Sequence, residues 1–318
     1  MAIGLVFPGQ GAQYVGMGKE LADAHNIARE TFEEVDDSLG FSLTKMIFTG
    51  PEEDLRLTYY TQPAILTVSI AAFRVLSQEI NVLPMMGAGH SLGEYSALVA
   101  ADAIPFADAV KLVYERGKYM DDSYKAGLGA MAAVLGADLN ALEMLCQSIT
   151  QEIHEPVDMA NVNCPGQVVV SGTKNAVQLL IDRAKTTGAR RAVLLDVSGP
   201  FHSSLMSKAV SQLQSLLEKQ VITRPSYPIV SNVNVQPLTD PQEIKKTLAQ
   251  QVASPVLWEA SVHQMIDHGI HTFIECGPGT VLSGLVRKID RTLQTMHVEN
   301  QSSLLETVMA LRQEGGTA

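Results

Sequence analysis

Two hydrophobic rhythms alternate along the chain. Short apolar runs are followed by longer stretches in which apolar residues return every three or four positions. The first rhythm marks buried strands and the second marks helices. Ile3 to Phe7 reads as a strand that enters a glycine-rich turn, Pro8-Gly9-Gln10-Gly11-Ala12-Gln13, and then a helix. Gln62 to Gln78 reads as a buried helix. Val82 to Gly87 is a strand leading into a tight turn, with a helix from Leu92 to about Ala101. Pro105 opens another helix, a favoured first-turn position for proline. Later strands are expected at Pro228 to Asn232, His271 to Cys276 and Thr295 to Val298.

The middle of the chain has its own order. Ala130 to Leu135, Val157 to Val162, Gln167 to Ser171 and Arg191 to Val197 are strand-like. A helix capped by Asp138 runs to Thr150, and another runs from Lys174 to Thr187 and stops at Gly188. The order β-α-β-β-α-β is that of a ferredoxin-like unit. The expected fold is therefore α/β. An α/β-hydrolase-like catalytic domain with a parallel-sheet core is built from 1–127 and 198–318. A ferredoxin-like subdomain is inserted at 128–197.

Composition narrows the function classes. Of the 318 residues, 46% are hydrophobic and 18% charged, which suits a globular core. Aromatic residues are 5%, with Trp258 the single tryptophan, too few for base-stacking platforms. A formal net charge of −11 gives no overall attraction to nucleic acid or anionic lipid. Local basic runs stand at Lys185, Arg190 and Arg191 and at Arg287, Lys288 and Arg291. Cys146, Cys164 and Cys276 are odd in number and widely spaced, so neither a disulfide framework nor a metal site is expected. The N-terminus lacks a basic targeting region, and no apolar run is long enough to span a bilayer. A cytoplasmic enzyme without membrane partners is the expectation.

The chemistry is sharpest at Gly89-His90-Ser91-Leu92-Gly93. Gly-x-Ser-x-Gly between a strand and a helix is the nucleophile-elbow pattern, in which flanking glycines avoid collision in a strained turn. The serine hydroxyl then stands at a helix N-terminus, where the Leu92 N–H favours a developing oxyanion. Glu94 in the first turn suits the helix dipole. A serine needs a base. Among eight histidines, His202 alone sits in a glycine-proline loop between a strand and a helix, Ser198-Gly199-Pro200-Phe201-His202-Ser203. It is the candidate base, set against a plain loop histidine.

Arg116 interrupts an apolar helical stripe of Ala109, Leu112, Val113, Gly117 and Met120. A buried guanidinium needs a partner. Two readings stand: an ion pair with a distant carboxylate, or a bidentate hold on a substrate carboxylate, with Gly117 leaving room for the ligand. The Gly9-Gln10-Gly11 loop lacks the full phosphate-binding patterns, so nucleotide binding is the weaker use of it beside a second oxyanion donor.

Taken together, several stretches carry a resemblance: Phe-Pro-Gly-Gln-Gly-Ala-Gln at 7–13, Gly-His-Ser-Leu-Gly-Glu-Tyr-Ser-Ala-Leu at 89–98, Arg116-Gly117, and Gly-Ala-Met-Ala-Ala-Val at 129–134. Asn-Val-Asn-Cys-Pro-Gly-Gln at 161–167, Ser-Gly-Pro-Phe-His-Ser at 198–203, Ser-Pro-Val at 254–256 and Gly-Pro-Gly-Thr-Val-Leu-Ser-Gly at 277–284 complete them. In order and over nearly the whole length, the chain resembles the malonyl-CoA:acyl carrier protein transacylases of bacterial fatty acid synthesis. The resemblance implies Ser91 as nucleophile and His202 as base, the latter oriented by the Gln251 backbone carbonyl in place of a carboxylate. It implies an oxyanion hole of the Gln10 and Leu92 N–H groups and a malonyl carboxylate on Arg116, with Asn161 and Gln167 near the acyl site. Malonyl-CoA and a transiently bound acyl carrier protein are the implied partners, with no cofactor or metal. Asp102 stands where a glycine is usual, and Thr280 where a lysine is common. Rival readings are a trans-acting malonyl transferase for a polyketide synthase, a serine thioesterase or hydrolase, and a non-catalytic carrier-binding scaffold.

Overall fold

Two sheets organise the chain in the computed structural model, which describes residues 2–125 and 127–315. Met1, Ala126 and residues 316–318, inside the ranges expected for the large domain, lie outside the described residues. In chain order the strands are β1 (Ile3–Phe7), β2 (Pro84–Gly89), β3 (Gly129–Leu135), β4 (Val157–Cys164) and β5 (Gln167–Thr173). They continue with β6 (Arg191–Leu194), β7 (Ile229–Val230), β8 (Pro237–Leu238), β9 (Thr272–Cys276) and β10 (Gln294–Val298).

The larger sheet has the order β10-β9-β1-β2-β7-β8. Every pairing from β10 to β7 is parallel, and β8 closes the edge antiparallel to β7. β1 and β9 are buried along their whole length. Covered on both faces, β1 carries a continuous apolar run instead of alternation, whereas β9 also buries Thr272 and Glu275, the latter accepting from Leu282 and Ser283 N–H. The Thr58–Glu79 helix packs its apolar residues, among them Ile65, Val68 and Ala72, into the core shared with β1.

The smaller sheet has the order β4-β5-β3-β6, and each of its pairings is antiparallel. The Leu139–Ile153 and Lys174–Arg183 helices share a separate core with it, through Leu142, Ile149, Val177 and Leu180 against Val134, Val168 and Val170. Asp138 caps the first helix by accepting from Ala141 N–H, and Thr173 caps the second. β4 also reaches the other layer: Val162 N–H donates to Val256 C=O at 2.9 Å and Val256 N–H to Ala160 C=O at 2.8 Å. That bridge sets Asn161 beside the segment following Gln251.

Element ends differ from the sequence expectation for local reasons. β2 starts two residues later than expected, because Leu83 points into solvent at 75% exposure and the apolar residues that pack begin at Met86. Pro105 is the N-cap of the Phe106–Ser123 helix, not its first turn; its ψ of 139° is extended. The expected Lys174 to Thr187 helix tightens into a 3₁₀ turn at Ala184–Thr187 before Gly188 ends it at φ 80°. Asp102 has φ 57°, the left-handed region in which glycine is favoured.

Candidate active site

β2 ends at Gly89 and the next helix begins at Gly93, so the chain reverses within three residues. The turn closes only without side chains at its edges. A Cβ at Gly89 would lie 1.8 Å from the Gly93 carbonyl carbon, and one at Gly93 would lie 2.0 Å from the Phe7 carbonyl oxygen. Ser91 is held at φ 51°, a strained position for a residue other than glycine. Side chains from distant segments clasp the turn. Asn232 Oδ1 accepts from Ser91 N–H at 2.7 Å, and its Nδ2 donates to Gly89 C=O at 2.8 Å. Gln251 Nε2 donates to Ser91 C=O at 3.1 Å.

His202 meets Ser91 from a second strained turn, with φ 58°. Its Nε2 lies 2.8 Å from Ser91 Oγ. Its Nδ1 lies 2.9 Å from the Gln251 carbonyl and 3.2 Å from the Ser254 carbonyl. Carbonyl oxygens only accept, so the ring proton sits on Nδ1 and the Nε2 lone pair faces the hydroxyl. Burial, and then the nearby Arg116 charge, hold His202 down to about 3. The imidazole is therefore neutral and able to take a proton from Ser91. His90, the neighbour of Ser91, turns away to bond Asn163 Oδ1 at 2.9 Å.

Arg116 is buried at 1% exposure. Nη1 donates to Gln62 Oε1 at 2.7 Å, and Nη2 donates to Ser91 Oγ at 3.0 Å and Gln251 Oε1 at 2.9 Å. Its guanidinium lies 5.4 Å from the centre of the Tyr95 ring, and its Nε has no hydrogen-bond partner among the described residues. Of the two readings of this arginine, the ion pair with a distant carboxylate is not what the structure shows. Its partners are carboxamides and the Ser91 hydroxyl, so among the described residues its charge is not committed to a protein anion. Gly117 leaves no room for a ligand: a Cβ there would lie 2.5 Å from Tyr59 Cα. That glycine serves the close approach of two helices.

Ser91, His202 and Arg116 open into one cavity of about 380 Å³, also lined by Gln10, Leu92, Asn161, Gln167 and Phe201. The backbone N–H groups of Gln10 and Leu92 donate to no protein acceptor among the described residues. The Gln10 loop is pressed against the elbow, since a Cβ at Gly9 would lie 2.3 Å from the His90 carbonyl oxygen. Gln167 is at the rim, where its Oε1 accepts from Lys288 Nζ at 3.1 Å. A second cavity of about 430 Å³ touches the other side of His202 and contains neither Ser91 nor Arg116.

The sequence reading missed four polar side chains here: Gln62, Asn232, the side chain of Gln251, and Glu94 as a buried group. Glu94 is 2% exposed, and burial pushes its carboxyl up to about 7. The constellation matches what acyl transfer needs: a hydroxyl with a neutral base, free N–H groups on the Gln10 loop and at the Leu92 helix N-terminus, and a cation beside the hydroxyl.

The acyl transferase domain family matches residues 5–310. A malonyl CoA-acyl carrier protein transacylase of Bacillus subtilis (strain 168) is 46% identical over 316 residues, covering 99% of each chain. An acyl carrier protein S-malonyltransferase from Vibrio cholerae superposes with a TM-score of 0.93 at 42% identity, covering 96% of this chain and 100% of the other. A malonyl-transacylase solved in complex with a type II polyketide synthase acyl-carrier protein gives a TM-score of 0.95 at 39% identity, covering 98% and 100%.

Proposed function

The chain belongs to the acyl transferase domain family, and on that premise we propose that it moves the malonyl group from malonyl-CoA to the phosphopantetheine thiol of an acyl carrier protein. One observation carries the chemistry: Ser91 Oγ stands between His202 Nε2 at 2.8 Å and Arg116 Nη2 at 3.0 Å in a single cavity.

Arg116 takes the malonyl carboxylate, bringing the thioester carbonyl to Ser91. Ser91 Oγ attacks the carbonyl carbon as its proton passes to His202 Nε2. The oxyanion is held by the Gln10 and Leu92 N–H groups, each such donor worth about a hundred- to a thousandfold in rate. The C–S bond breaks, and the departing CoA sulfur takes the proton from His202. Malonyl is left as an ester on Ser91. In the second half the carrier thiol gives its proton to His202 and attacks the ester, and Ser91 recovers its proton. The kinetics are ping-pong. Each step exchanges one acyl bond for another, so the scheme calls on no redox cofactor and no metal. Asn161 and Gln167 line the acyl and pantetheine path.

We place a division of the chain at about 128–197, reading β3 to β6 with their two helices as a ferredoxin-like subdomain. Residues 1–127 and 198–318 then form the α/β-hydrolase-like catalytic domain. Lys288 at the cavity rim supports a basic docking surface for the acidic carrier, with Arg287 beside it and Lys185, Arg190 and Arg191 as further members. A cytoplasmic location belongs to the same proposal. The solved complex with a polyketide carrier protein favours a second reading in which the acceptor is a polyketide carrier; the chemistry at Ser91 is unchanged.

The test is a double-reciprocal analysis of initial rates with malonyl-CoA and purified carrier. Parallel lines support the covalent route, and malonate release without carrier at the transfer rate would instead mark a hydrolase.

A further inference from the structure

Glu94 is a buried carboxylate that the transfer chemistry leaves without a task. It stands in the first turn of the Gly93–Ala100 helix. Its Oε2 accepts from Asn232 N–H at 3.0 Å and from Gln251 Nε2 at 2.7 Å. On the far end of the same carboxamide, Gln251 Oε1 accepts from Arg116 Nη2 at 2.9 Å. The Gln251 side chain thus stands between carboxylate and guanidinium.

A carboxamide has one donor end and one acceptor end. Three acceptors surround Gln251 Nε2: Glu94 Oε2, Ser91 C=O at 3.1 Å and Asn232 Oδ1 at 3.3 Å. Glu94 is the nearest and the one able to carry charge, so it makes the strongest of these bonds. Together they fix which way the amide points. Reversed, Gln251 would set its NH₂ against the Arg116 donors and release the guanidinium.

We propose that Glu94 is a positioning residue for Arg116: acting through the Gln251 carboxamide, it fixes the guanidinium in the acyl pocket without pairing with it, and so sets the selectivity for carboxylate-bearing acyl groups. This rests on the reading that Arg116 binds the substrate carboxylate. A carboxylate in direct contact with Arg116 would compete with the substrate. One amide removed, it holds the arginine in place and leaves the fork open.

The test measures KM and kcat for malonyl-CoA and acetyl-CoA in the wild type, Glu94→Gln and Arg116→Ala. Glutamine keeps the size and an acceptor but replaces a charge-assisted bond with a neutral one. At a pH above about 8, where Glu94 carries its charge, KM for malonyl-CoA in Glu94→Gln should rise about tenfold, with acetyl transfer changed less than about twofold. An unchanged or lowered malonyl KM overturns the proposal, and so does an equal loss for both acyl groups, the mark of a merely structural role. If Arg116→Ala keeps the malonyl preference, the carboxylate reading itself fails, a result separate from failure at Glu94.

The wild type supplies a second arm that does not depend on a variant folding. Glu94 loses its charge as pH falls through about 7. The other groups around it stay fixed there: Arg116 remains a cation, burial pushes Tyr95 up, and His202 is held down to about 3. The ratio of malonyl to acetyl KM should therefore rise on acidification through that region. Phosphates of the coenzyme are common to both donors and cancel. A flat ratio in the wild type contradicts the proposal.

Discussion

Arg116 Nη2 rests 3.0 Å from Ser91 Oγ, so a buried cation touches the Ser91 hydroxyl. The same guanidinium helps hold His202 down to about 3. A malonyl carboxylate arriving on Arg116 would answer both effects. It would draw the guanidinium off the hydroxyl and offset the field that weakens the base.

Arg116→Ala should lose malonyl transfer by about a hundredfold or more, in keeping with the loss of one partner of a buried charge pair. Transfer of uncharged acyl groups should persist. Rates of acyl-enzyme formation with malonyl-CoA and acetyl-CoA measure this. An unchanged malonyl-to-acetyl preference would refute the carboxylate role.

The base should respond to the substrate's charge. In the Ser91→Ala variant, titration of ¹³C-labelled His202 by NMR should show its pKa rising when saturating malonate is present. Acetate, which reaches less far from the acyl end, should raise it less. A His202 that titrates identically with and without malonate would sever the electrostatic link to Arg116.

Stability should carry the mark of the buried neutral histidine. Between its ordinary value of 6.5 and about 3, the unfolded chain binds a proton that native His202 refuses. Its contribution is thus lost as pH falls through that window, at about 1.4 kcal/mol per pH unit. Glu94 acts in the opposite sense. Its carboxyl is raised from 4.5 to about 7, so native protein takes up a proton there and is relatively favoured in acid. Melting curves from pH 7 to pH 4 should show His202→Ala losing less stability on acidification than the wild type. A steeper acid loss in that variant would contradict the assignment.

Gly117→Ala should destabilise the fold by about 1–3 kcal/mol, the cost of overpacking a tight contact. Its added methyl meets Tyr59 Cα at 2.5 Å. Thermal unfolding checks this; a melting temperature equal to the wild type would mean the Thr58–Glu79 and Phe106–Ser123 helices are less closely packed.

How much of this was legible beforehand follows from the kind of signal each residue leaves. Ser91 was legible because backbone collisions demand Gly89 and Gly93 around it. Arg116 stood out because it breaks an apolar helical stripe, although its actual partners did not. The neighbouring Gly117 was misread, since the sequence does not show that the start of another helix lies against it. Glu94 read only as a first-turn acid suited to the helix dipole; its burial comes with the packing of the Asn232 and Gln251 segments. Those two amides come from segments far along the chain and fit no period, so nothing local betrays them. The strands of the smaller sheet were legible from short apolar runs, and its first helix from the Asp138 cap. The ends of β2 and the Phe106–Ser123 helix shifted because exposure of Leu83 and the extended ψ of Pro105 are decided by tertiary neighbours.

The central claim is that Ser91 carries the malonyl group between two thiols. Intact-protein mass spectrometry after mixing with malonyl-CoA, without carrier, tests it most directly. The wild type should gain one malonyl group and Ser91→Ala none, and the starting mass should return when carrier protein is added. No gain on the wild type, or the same gain on Ser91→Ala, would contradict it.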